Sequence, residues 1–183
     1  MTAREFDPSR LDVAAFAKEA ARLEGRWPLA LLDRLASAAV AEAQPAIATE
    51  VAWSARGERR PVHAGETQVW LHLGAATCLA LECQRCLKPM DVPLQIERSF
   101  LFVHGEDAAA QLDADSDDDV LALTRALDLR ELIEDELLLA LPLVPRHDVC
   151  PVPLAIPADG EPPEDKPNPF AALAALKRPG PLN

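Results

Sequence analysis

Two cysteines three positions apart, Cys83 and Cys86, stand between two stretches of alternating apolar and polar residues. On the far side of the pair, Val92, Leu94, Ile96, Phe100 and Phe102 alternate with Pro93, Gln95, Glu97, Ser99 and Leu101, a long period-two pattern. On the near side, the pattern predicts a strand from Thr77 to Cys83. The pair therefore sits at a hairpin tip, where both sulfurs aim at one point. That is half of a tetrahedral zinc site, or a redox pair. His147 and Cys150 repeat the three-residue spacing with an imidazole and a thiol, so that Cys83, Cys86, His147 and Cys150 would complete a Cys3His set. The alternative is a pair of reduced, half-buried thiols with no metal.

Other strands follow from the same period. Ile47, Thr49, Val51 and Trp53 alternate with Ala48, Glu50, Ala52 and Ser54, and a turn is expected at Gly57–Pro61. Gln68–Leu73 forms a further strand, separated from the one beginning at Thr77 by Gly74, Ala75 and Ala76, and Val120–Thr124 forms a short last one. Pro93 lacks a ladder donor, so its strand lies at an edge or is just beginning there. Cys78 falls on the opposite strand face from Cys83 and reads as a small core residue; His63 and His72 have no partner at ligand spacing.

Helical spacing marks three segments. Arg10–Leu23 carries Val13, Phe16, Ala17, Ala20 and Leu23 and stops at Gly25; a second helix starts at Pro28 with Leu31, Leu32 and Leu35 on one side. Asp128 and Glu131 form a capping-box pattern before a helix whose buried side is Leu129, Leu132, Ile133, Leu137, Ala140 and Leu141, with Glu131, Glu134 and Asp135 outside. Gly105–Asp119 holds seven acidic residues and no Lys or Arg, which predicts a loosely ordered acidic loop. It lacks the pattern of a calcium loop.

The expected fold is α+β: an antiparallel sheet or partly open barrel of about five strands packed with helices, with Cys-x-x-Cys at a hairpin tip. Residues 1–150 form one domain. Residues 151–183 form a Pro-rich tail, since 11 of the 17 prolines lie from Pro142 onward. Within the tail, Asn168 and Pro169 precede a short helix with Phe170, Leu173 and Leu176 on its apolar face. Too brief to persist alone, it would dock on its own domain or on a partner. No apolar run is long enough to span a membrane and no signal-peptide core follows Met1, so the expectation is a soluble, cytoplasmic protein.

The formal net charge of −12 gives the chain no advertised basic face for nucleic acid and would draw it towards basic partners. Three separated motifs then agree with one family. Leu81-Glu82-Cys83-Gln84-Arg85-Cys86, the run from Glu134 to Asp148, and Lys166-Pro167-Asn168-Pro169-Phe170 through Lys177 resemble the YceD family of bacteria and plastids. The resemblance implies a non-catalytic role in synthesis, processing or accumulation of large-subunit ribosomal RNA, with a precursor of that subunit, either its RNA or a basic ribosomal protein, as partner. It matches the family's paired cysteines to Cys83 and Cys86 and its acidic helix to Glu134, Asp135 and Glu136. Relatives carry more cysteines in the later segment, whereas this chain keeps Cys150 with His147 as the fourth candidate ligand for Zn2+. Glu131, Glu134, Asp135, Pro169, Phe170 and Leu173 are the candidate partner contacts.

The competing reading is a thiol–disulfide protein using Cys83 and Cys86. Redox pairs of this kind usually open a helix, whereas Lys88, Pro89 and a strand pattern follow here. No hydrolase or metalloprotease motif is present, and no small-molecule substrate or organic cofactor is implied.

Overall fold

A computed structural model describes residues 5–40, 50–62 and 67–151. Its centre is the hairpin of β3 (Thr67–Glu82) and β4 (Pro89–Val103), paired along their lengths from Val69↔Phe102 to Glu82↔Pro89. β2 (Glu50–Pro61) adds to β3, and β1 (Arg22–Pro28) to β2, all antiparallel. The short β5 (Asp119–Ala122) joins the far side of β4 in parallel, giving an open five-stranded mixed sheet in the order β1-β2-β3-β4-β5. The helices are α1 (Val13–Lys18), α2 (Asp33–Ala38), α3 (Glu106–Asp115) and α4 (Leu129–Leu139). None of the described helices is long and apolar enough to cross a membrane.

The period-two residues do what the pleat requires. Val51, Trp53, Leu71, Leu73, Ala75, Leu94, Ile96, Phe100 and Phe102 line one face of the sheet and bury against Phe16, Leu32, Leu35, Ile133 and Leu137 from the helices. Among the described residues the other face is mostly bare; its buried cluster is Trp70, Leu101 and Val120 beneath Ala109 of α3.

Several expectations are corrected. The single sheet is neither wholly antiparallel nor closed, because the last strand returns parallel after α3. The predicted helix over Arg10–Leu23 stops at Lys18; Ala20 turns the chain with a φ of 46°, and Leu23 and Trp27 pair with Ala55 and Val51 as β1. Trp27 stacks on Trp53 at 4.3 Å, and burial of that ring pair helps a short ambiguous segment adopt strand. The helix expected from Pro28 is reduced to a 3-10 turn at Leu29–Leu31 and the six residues of α2.

Gly57 is no turn either. It lies within β2, where an added Cβ would come within 2.7 Å of the Ala17 backbone, so its missing side chain lets α1 pack directly on the sheet. Gly74–Ala76 does not divide two strands, since β3 runs through it. The acidic segment 105–119 is largely helical: Glu106 and Asp107 sit in the first turn of α3, the favourable end of the helix dipole, and Ala109 buries. Pro93 does lie where β4 has no neighbour beyond β3 among the described residues, as its missing donor demands. The expected tail helix and His63 lie outside the described residues.

Candidate metal centre

β3 ends at Glu82 and β4 begins at Pro89, leaving six residues to reverse the chain. The Cys83 N–H donates to the Lys88 carbonyl at 3.0 Å, and the Leu87 N–H to the Cys83 carbonyl at 2.8 Å. Leu87 holds this tight turn with a φ of 56°, the left-handed region. Both thiols are thereby fixed by the hairpin ladder.

The second pair arrives from the far end of α4. Pro142 and Pro145 prevent the helix from continuing, and the chain turns back to the hairpin tip, where the Gln84 N–H donates to the Pro145 carbonyl at 2.9 Å. His147 then donates its backbone N–H to Cys83 Sγ at 3.4 Å, and its Nδ1 lies 3.5 Å from Cys86 Sγ. One ligand atom from each of Cys83, Cys86, His147 and Cys150 lies within 4.8 Å of all the others. The structure thus brings together the whole Cys3His set read from the sequence. Cys78 is half-buried and outside it.

These four residues could hold a metal ion. In a tetrahedral zinc site with bonds of about 2.3 Å to sulfur and about 2.0–2.1 Å to nitrogen, a sulfur–nitrogen edge is about 3.6 Å and a sulfur–sulfur edge about 3.8 Å. The 3.5 Å separation of Cys86 Sγ from His147 Nδ1 is already close to the first of these. Four protein ligands would fill the tetrahedron and leave no open position, the pattern of structural rather than catalytic zinc.

Electrostatics agree with that donor set. Burial is the largest influence on the Cys83 thiol and pushes its pKa up. Hydrogen bonds from the backbone N–H groups of His147, Arg85 and Cys86, joined by the His147 side chain, together outweigh it and bring the thiol down to about 5. Cys150 is pushed up by burial and then by Cys86 and Cys83. One thiolate is prepared and the next is disfavoured by crowding. A divalent cation relieves that conflict, since coordination deprotonates thiols outright.

The candidate partner contacts fare unevenly. Glu131 is exposed on α4, whereas Glu134, expected outside, is 7% exposed. Its carboxylate accepts the backbone N–H groups of Arg34 and Leu35 and the Arg34 guanidinium. Asp135 accepts Arg34 Nη1 at 2.6 Å, and Glu136 accepts Arg98 Nε at 2.9 Å. The acidic helix is thus largely neutralised within the chain. The local spacing that put Glu134 outside did not reveal that α2 would need a cap. Pro169, Phe170 and Leu173 lie outside the described residues.

His72 is part of a polar line across the bare sheet face, its ring bonded to Ser99 Oγ and Glu58 Oε2 at 2.8 Å each. Glu58 is held below the usual carboxylate range by His72 and then Arg60.

Comparison with known proteins places the site in context. The family model described as "Large ribosomal RNA subunit accumulation protein YceD" matches residues 71–177, a stretch that contains all four candidate ligands. A curated protein of that name from Haemophilus influenzae is 41% identical over 103 residues, which cover 54% of this chain and 59% of the relative. The matched part is thus little more than half of that protein's length. No solved structure matches.

Proposed function

The chain belongs to the YceD family, and from that membership we propose that it is a non-catalytic factor for the accumulation of large-subunit ribosomal RNA. It would act by binding a precursor of the large subunit, through its RNA or one of its basic proteins. The observation that carries this reading is the family match over residues 71–177, which takes in most of β3, all of β4 and α4, and the cysteine cluster.

In this reading Cys83, Cys86, His147 and Cys150 hold a structural zinc ion that clamps the segment after α4 to the hairpin tip. The cluster supports that role because it joins two segments 61 residues apart at a point where the described contacts are few and polar. The thiol–disulfide alternative gains no support: Cys83 is fully buried, and the pair leads into β4 rather than opening a helix.

The test is affinity capture from cells carrying the tagged protein at its natural level, followed by sequencing of the RNA and identification of the proteins. Large-subunit RNA and proteins should be enriched over their small-subunit counterparts. Equal recovery of both subunits would sink the proposal.

A further inference from the structure

The two ends of the sheet differ in chemistry. At one end β3 runs out into the cysteine turn. At the other, β2 and β4 end and β3 begins, with the register setting Arg59 against Val69, Val69 against Phe102 and Val103 against Ala122. Arg59 near the end of β2, His104 just after β4, Arg125 beyond β5 and Lys18 at the end of α1 therefore meet at this second end. Together with Thr67 they line one open cleft of about 420 Å3, in which Asp12 supplies the only carboxylate among the described residues.

Elsewhere several arginines are neutralised within the chain, whereas Arg10, Arg22, Arg85 and Arg146, which do not line this cleft, have no ion pair among the described residues. Arg34 is held by Glu134 and Asp135, Arg98 by Glu136, Arg26 by Glu50, and both Arg56 and Arg60 by Glu58. Lys18, Arg59 and Arg125 have no ion-pair partner among the described residues, although the chain has 30 acidic residues to 18 basic ones. All three are exposed. Like charges left together at a surface repel one another and gain most from an external polyanion. On a protein of net charge −12 a polyanion is repelled by the overall field, so a locally basic cleft also fixes its orientation.

We propose that this cleft binds the phosphate backbone of RNA, with Lys18, Arg59 and Arg125 as the phosphate contacts and His104 and Thr67 as neighbouring donors. The proposal rests on the ribosomal-RNA reading above and names RNA rather than protein as the partner touched here. Among the described residues no Phe or Trp lines the cleft. An acidic protein partner would ordinarily anchor through such a group, whereas phosphates need only convergent cations and hydroxyls.

Fluorescence anisotropy of the full chain with a labelled 20-nucleotide single-stranded RNA, titrated between 50 and 200 mM salt, tests this directly. Three cationic contacts would weaken binding about twentyfold over that range, and removing two of them would reduce the loss to about threefold. Arg59→Gln combined with Arg125→Gln should lower both the affinity and the salt slope. Arg26→Gln combined with Arg130→Gln removes the same formal charge elsewhere and should leave the slope unchanged. Thermal melts establish that both variants fold.

Equal loss in the two double variants, or none in the first, overturns the assignment. So does competition by poly-glutamate as effective as that by RNA of equal charge, which would mark an acidic-protein site. Failure of the wild type to bind RNA at 50 mM salt removes this inference while leaving large-subunit enrichment in the capture experiment as the measure of the broader role. RNA binding without that enrichment would leave the cleft and remove the role.

Discussion

The carboxylate of Glu134 on α4 accepts the backbone N–H of Leu35 on α2 at 3.0 Å, across 99 positions of sequence. Leu32, which precedes α2, offers no side-chain cap. Glu134 supplies it from another element, also taking the Arg34 N–H at 2.8 Å. A helix N-terminus with free N–H groups favours a negative charge, and Leu35 is fully buried, so water cannot replace the carboxylate at that donor.

Glu134→Ala leaves the Leu35 N–H unsatisfied and should cost about 2–3 kcal/mol of stability. Urea unfolding monitored by circular dichroism measures it. A loss no larger than that of Glu131→Ala, an exposed position on the same helix, would show that the cap carries no weight.

The same contact sets a pH window. Burial is the largest influence on Glu134 and raises its pKa, but the Leu35 N–H, then the Arg34 side chain and N–H, outweigh it and hold the carboxyl below its ordinary value. A group lowered in the folded state stabilises fully above its unfolded pKa of about 4.3. It loses that contribution as the pH falls through the folded pKa. The stability gap between wild type and Glu134→Gln should therefore be constant from pH 7 to about 5 and shrink below about 4. A gap that grows on acidification contradicts the sign.

Zinc occupancy makes a different prediction. Protein purified without a histidine tag should carry one zinc per chain, lost in Cys86→Ser. In the native holo protein Cys78 should be the only readily titrated thiol of the four, and a chelator should expose the other three. Chelation should also lower the melting temperature, because the ion binds the folded state alone. Four thiols titrating without chelator would rule the site out.

Leu87 supplies the fourth prediction. Its left-handed backbone costs about 1–2 kcal/mol, and its side chain is 65% exposed, so little packing offsets that strain. Leu87→Gly should stabilise the chain by about 0.5–1 kcal/mol after the extra backbone entropy of glycine is subtracted. Leu87→Val, with a branched Cβ, should destabilise it. The reverse order in thermal melts would mean that the turn relaxes in solution.

The residues alone determined what depends on near neighbours. Alternation along 92–102 defined β4 and the hairpin tip, and Asp128 capped α4 through the Arg130 and Glu131 N–H groups as its spacing required. The Cys83, Cys86, His147 and Cys150 set was legible because ligand types recur at fixed short spacing.

Tertiary structure decided the rest. Residues 22–28 carry apolar side chains at spacings compatible with helix or strand, and only the open edge of β2 and the Trp53 ring selected strand. Glu134 looked outward by helical period, yet the arrival of α2 buried it. The basic cleft joins residues from positions 18, 59, 104 and 125 that share no local pattern. Periodicity reports how a segment's own side chains are disposed, whereas such meetings depend on which strands pair and in what order, a property of the whole chain's burial.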